Sequence, residues 1–145
     1  NKKLYSPEVT KLSSIIAKKS FVRNALKSFQ KKFIKNSKLV VIEGRDIGSK
    51  IMPNADLKLF FTCSVKEKAK RRLKEFKMLN KKITLKQVEK ALIQRDKEDT
   101  ERKISPLILK KNAVIVDTTK LNIKQMETKL INLVTNSIKK KYGNL

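Results

Sequence analysis

Three short, mainly apolar runs constrain this chain more than anything else in it: Leu39-Val40-Val41-Ile42, Leu57-Lys58-Leu59-Phe60-Phe61-Thr62-Cys63 and Ala113-Val114-Ile115-Val116-Asp117. A strand with one wet face alternates apolar and polar residues, whereas continuous runs suit strands covered on both faces, as in parallel sheets. Parallel neighbours need long crossovers, usually helical, and the remaining sequence supplies them. Ser6-Pro7-Glu8 offers a cap, a proline for the first helical position and an early acid ahead of Val9, Leu12, Ile15 and Ile16. A second helix is expected over Phe21 to Lys35, with Val22, Ala25, Leu26, Phe29 and Phe33 at helical spacing. Ser64 with Glu67, Thr84 with Gln87 and Asn122 with Gln125 each read as a capping box, opening helices that end near Asn80, before Pro106 and near the C-terminus. Pro53-Asn54-Ala55-Asp56 reads as a turn. The order after residue 38 predicts an α/β layered fold with a mainly parallel sheet.

The helix that follows Thr84 carries the most informative charge pattern. Leu85, Val88 and Leu92 form an apolar stripe, and the same spacing continues through Arg95, Asp99 and Arg102. Side chains three and four apart share one helix face, so the charged groups should point where the apolar ones do. Burying charge costs several kcal/mol per ion unless each is paired or bound. The stripe therefore marks a structural ion network or a polar site, unless the helix has run past the core into water.

Charge and inventory exclude several classes of function. Lysine and arginine number 37 against 13 acidic residues, a formal net charge of +24. Only six of the 37 are Arg, and the Lys residues are strewn along nearly every segment without aromatic interleaving. That pattern suits solvated faces and attraction of small anions better than a dedicated nucleic-acid surface. With no His and a single Cys, a zinc site, a His-based triad and an intramolecular disulfide are ruled out by composition. Cys63 reads as a small hydrophobe in a reducing compartment, no apolar run approaches the ~18 residues of a membrane span, and a cytoplasmic location is expected.

Gly44-Arg45-Asp46-Ile47-Gly48 follows the first apolar run, and in parallel sheets ligands bind beyond the carboxyl ends of strands. Glycine lets backbone turn sharply or approach a ligand, Arg45 offers a planar fork suited to phosphate, and Asp46 could accept from a base or simply pair at the surface. Taken with Pro53-Asn54-Ala55-Asp56-Leu57-Lys58-Leu59-Phe60, Arg95-Asp96, Asp99, Arg102, Pro106-Leu107 and Val116-Asp117-Thr118-Thr119, this order and spacing resemble the bacterial cytidylate kinase family from Ser6 to about Leu133.

The resemblance implies a P-loop NTPase-like, three-layer α/β/α fold with a mainly parallel sheet. It implies a kinase that passes the terminal phosphoryl group of ATP, with Mg2+, to CMP or dCMP, works as a monomer when complete, and has no specific nucleic-acid or membrane partner. Residues 1–36 would be the C-terminal half of the acceptor-binding insert and its return helix, and 37–145 the core, with a lid over about 64–104. Ser14 and Arg23 match the residues at the cytosine edge. Arg45 and Asp46 match those at the acceptor phosphate and base, and Arg95, Asp99 and Arg102 those that hold sugar and base. Arg71 and Arg72 resemble the basic pair of the lid helix, placed to neutralise phosphates during transfer, although a solvated helix face accounts for them equally. No residue here is expected to ligate a metal.

The family's donor site is a glycine-rich loop ending in Lys-Ser/Thr, whereas this chain has Gly44, Gly48 and Gly143 and no such loop. The expectation is that the first strand, the phosphate loop and half the insert precede Asn1. The sheet would then have a gap between residues 39–42 and 57–63, and the 145 residues would be inactive and poorly stable by themselves. Two other readings fit the residues: a kinase of the same architecture with UMP, AMP or a small alcohol as acceptor, and a basic nucleic-acid-binding module derived from a kinase.

Overall fold

The computed structural model describes residues 7–79 and 82–143, in the order α1 (Pro7–Ile16), α2 (Ser20–Lys35), a π-helical turn (Ile47–Ile51), β1 (Leu59–Thr62), α3 (Val65–Met78), α4 (Leu85–Glu101), β2 (Val114–Asp117) and α5 (Ile123–Tyr142). Ser6 and Asn80, expected at a helix start and a helix end, lie outside the described residues.

Short-range caps set the helix boundaries. Thr84 accepts from the Gln87 N–H at 3.3 Å and Gln87 returns the bond to the Thr84 N–H at 2.8 Å, a complete capping box for α4. Asn122 and Gln125 do the same for α5, with bonds of 2.9 and 3.0 Å. At α3 only half the expected box forms. Ser64 Oγ accepts from Glu67 N, but the Ser64 N–H donates to Thr119 Oγ1 at 2.9 Å, which leaves the Glu67 carboxylate to pair with Arg71.

β1 and β2 pair in parallel, Leu59 opposite Val114 and Thr62 opposite Asp117, and the ladder extends through Val114 N to Lys58 O and Thr118 N to Thr62 O, each 2.9 Å. The crossover between them is the α3–α4 hairpin, as a parallel pair requires. That hairpin encloses its own apolar cluster of Ala69, Phe76 and Val88, flanked by Leu73, Ile83, Leu85 and Leu92. The apolar half of the α4 stripe is therefore spent on α3.

The strand expected at Leu39–Ile42 does not form. Residues 40–43 have no regular structure, Leu39 is 92 % exposed and Val41 fully so. A strand is defined by its neighbour, and among the described residues the one sheet consists of β1 and β2, so this run has no ladder to join; Leu39 and Val41 face outward while Val40 and Ile42 are half-buried. The turn at Pro53-Asn54 does form, closed by Ala55 N donating to Met52 O at 3.2 Å. No described helix is long and apolar enough to cross a membrane.

Candidate active site

Asp99, on the last turn of α4, is 7 % exposed and sits among three guanidinium groups. Arg45 Nε donates to its Oδ2 at 2.8 Å, Arg102 Nη1 donates to its Oδ1 at 3.1 Å, and Arg95 Nε lies 4.0 Å from Oδ2. The charged half of the stripe thus faces inward and meets an arginine from the glycine loop 54 residues earlier.

Each arginine arrives by a different route. Arg95 and Asp99 are one turn apart on α4. Arg102 is the C-cap of that helix, and its Nε donates to Ser105 O at 2.7 Å, folding the chain back at a residue with φ of +52°. The Asp99 carbonyl accepts from Leu107 N at 2.7 Å, which locks the return. Arg45 follows Gly44, where a side chain is excluded because a Cβ would lie 2.9 Å from Ile47 Cγ1 on a backbone with φ of +157°. The π-helical turn that follows, a distortion common at functional sites, was not foreseen from the sequence.

Asp46 is taken by Arg23, whose guanidinium pairs with its carboxylate and also donates to Ala17 O at 3.2 Å. Arg23 therefore fastens α2 both to the glycine loop and to the turn after α1. Ser14 lies on α1, half-buried, one turn before that turn.

The family model for cytidylate kinase matches residues 1–136. The chain belongs to the cytidylate kinase family. It is 39 % identical over 132 residues to the cytidylate kinase of Thermotoga petrophila, covering 91 % of this chain and 60 % of that protein. It is 42 % identical over 129 residues to that of Thermosipho africanus, covering 89 % and 58 %, and 40 % identical over 130 residues to that of Mycoplasmoides gallisepticum, covering 90 % and 58 %. The chain thus spans about three fifths of the length of the curated relatives it matches.

In this chain three arginines, Arg45, Arg95 and Arg102, surround the single carboxylate of Asp99, a net charge of +2, while Arg23 and Asp46, the residue after Arg45, form a neutral pair. Arg95 Nε is buried without a hydrogen-bond partner among the described residues. Burial and the nearby Arg45 guanidinium push Arg95 below the usual arginine value, with Asp99 opposing them. An uncompensated buried donor in a positive cluster suits an incoming anion or hydroxyl, which would satisfy it.

Arg71 and Arg72 diverge. Arg71 spends its fork on the β2–α5 turn, donating to Thr118 O at 2.7 Å, Thr118 Oγ1 at 3.2 Å and Leu121 O at 3.3 Å. It fastens α3 to the sheet. Arg72 pairs with Glu75 at 2.6 Å and lies over the Phe76 ring, yet it is near enough to Arg95 to depress that residue's pKa as well. Sequence reasoning missed the Lys68 to Asp96 bond of 2.6 Å that joins the two helices of the hairpin, and the Lys18 to Glu98 bond of 2.9 Å that joins the α1–α2 turn to α4. Neither has a local signal, because the partners are 28 and 80 residues apart.

Proposed function

We propose that this cluster is the acceptor site of a nucleoside monophosphate kinase that passes the terminal phosphoryl group of ATP to CMP or dCMP. The observation that carries the reading is the Asp99 cluster: a buried carboxylate holding Arg45 and Arg102, with the buried Arg95 Nε beside them still lacking an acceptor. Phosphoryl transfer asks the protein for alignment and charge neutralisation more than for covalent chemistry. Arg45, with its side chain half in solvent, is placed to exchange Asp99 for the acceptor phosphate. Arg95 is placed to add its spare donor, and Asp99, once Arg45 turns away, to accept from a sugar hydroxyl. Arg102, held by Asp99 and Ser105 O, and Asp46, held by Arg23, present a donor and an acceptor edge of the kind that distinguishes cytosine from other bases. Ser14 and Arg23 would close over the base, and Arg72 would add positive charge near the phosphates.

Magnesium would arrive as the counter-ion of ATP. Asp46, Asp96 and Asp99 are each paired with a cation, and among the described residues no group of three or more His, Cys, Asp or Glu comes together. The donor phosphates are proposed to bind a glycine-rich loop outside these 145 residues, which alone are then inactive.

The test is Arg102→Met in the complete enzyme, donor loop included, assayed against CMP, dCMP, UMP and AMP. A charge-assisted contact of about 1.5 to 3 kcal/mol predicts a KM for CMP raised by about one to two decades, with the KM for ATP unchanged. Unchanged KM and turnover for CMP would refute the assignment, and a preference of the parent protein for another acceptor would redirect it.

A further inference from the structure

We infer that the Lys18–Glu98 ion pair is a closure latch, a pair of positioning residues that draws the α1–α2 hairpin onto α4 and so sets the width of the gap across which the acceptor is gripped. This deepens the acceptor-site reading and rests on it. Lys18 lies in the turn between α1 and α2, one helical turn beyond Ser14, and its Nζ donates to Glu98 Oε2 at 2.9 Å. Glu98 stands in the row Gln94, Glu98, Arg102 along α4, and it directly precedes Asp99. The contact therefore joins the element that carries Ser14 and Arg23 to the edge of α4 that carries Asp99 and Arg102.

Electrostatics gives the pair a task. The Asp99 group, three arginines around one carboxylate, is net positive, and Lys18 and Lys19 would be repelled by it. Glu98 supplies the compensating charge at the point of contact. Its carboxylate is held ready, because Oε1 accepts from Gln94 Nε2 at 2.9 Å while Oε2 faces Lys18. These two hydrogen bonds hold the Glu98 carboxyl below the usual glutamate value. Both partners remain partly exposed, so the bond is weak enough to break in each cycle, and a bound acceptor dianion would cut the repulsion and favour closure.

The experiment uses the complete enzyme, donor loop included, with Cys63→Ala and nitroxides on cysteines introduced as Lys19→Cys and Lys97→Cys. Lys18→Met and Glu98→Gln are each expected to lengthen and broaden the distance between the labels. In unlabelled enzyme they should raise the KM for CMP about two- to fivefold, with the KM for ATP unchanged. The reversed pair, Lys18→Glu with Glu98→Lys, should recover part of both effects. Label distances that stay the same in both single variants would overturn the latch. Distances that respond while the CMP KM does not would support the latch and count against the acceptor reading, so the two can fail separately.

Discussion

Replacing Asp99 by Asn tests whether one carboxylate organises the cluster. The side chain keeps its shape, so a carbonyl oxygen can still accept from Arg102 Nη1 at 3.1 Å, but the amide nitrogen then meets Arg45 Nε, two donors at 2.8 Å. The greater loss is charge. Arg102 has only 8 % of its side chain exposed, and Arg95 is already pushed below the usual arginine value by burial and by Arg45. Leaving a buried cation without its partner costs about 3 to 5 kcal/mol, whereas the Arg45 pair, nearly half exposed, adds little, so about 3 kcal/mol is expected in all. For a chain of this size that is a fall of about 6 to 12 °C in Tm, read by circular dichroism in low-salt, phosphate-free buffer on the full chain. Inorganic phosphate should recover part of the loss in the variant and raise the parent's Tm less, because the anion replaces the missing carboxylate among the arginines. A Tm within about 1 °C of the parent, against the several degrees that ~3 kcal/mol requires, would refute the idea that Asp99 neutralises these arginines.

Two further outcomes probe the scaffold. Arg71→Met removes the bonds to Thr118 O and Leu121 O while keeping the aliphatic stem, and should cost about 1 to 2 kcal/mol in urea unfolding; Arg71→Lys should recover little, since one ammonium cannot span both carbonyls. Val88→Ala leaves a void in the α3–α4 cluster, where Val88 is 1 % exposed, and should cost about 2 kcal/mol with faster amide exchange in those two helices; an unchanged denaturation midpoint would mean that the hairpin is not packed as described.

Much of this arrangement is written locally. The complete capping boxes at Thr84 and Asn122 set the starts of α4 and α5 within a span of three residues. The spacing from Leu85 through Arg102 told which face of α4 turns inward, for the apolar and the charged half alike, and the runs 57–63 and 113–117 contain the paired strands Leu59–Thr62 and Val114–Asp117. Left undecided was whether the inward charges merely neutralise one another. The position of Arg45 on Asp99 and the orphaned Arg95 Nε are the two observations on which the acceptor-site proposal rests.

The sequence by itself determined the starts of α4 and α5, the inward face of α4 and the family, because these depend on spacing along one element or on residue order. Tertiary structure alone decided that Leu39–Ile42 has no ladder, that Ser64 gives its N–H to Thr119 and not to Glu67, that Arg71 grips backbone carbonyls, and that Lys18 meets Glu98. Each of these depends on a partner tens of residues away. Strand pairing and long-range ion pairs are properties of two segments at once, and periodicity within either segment carries no information about the other.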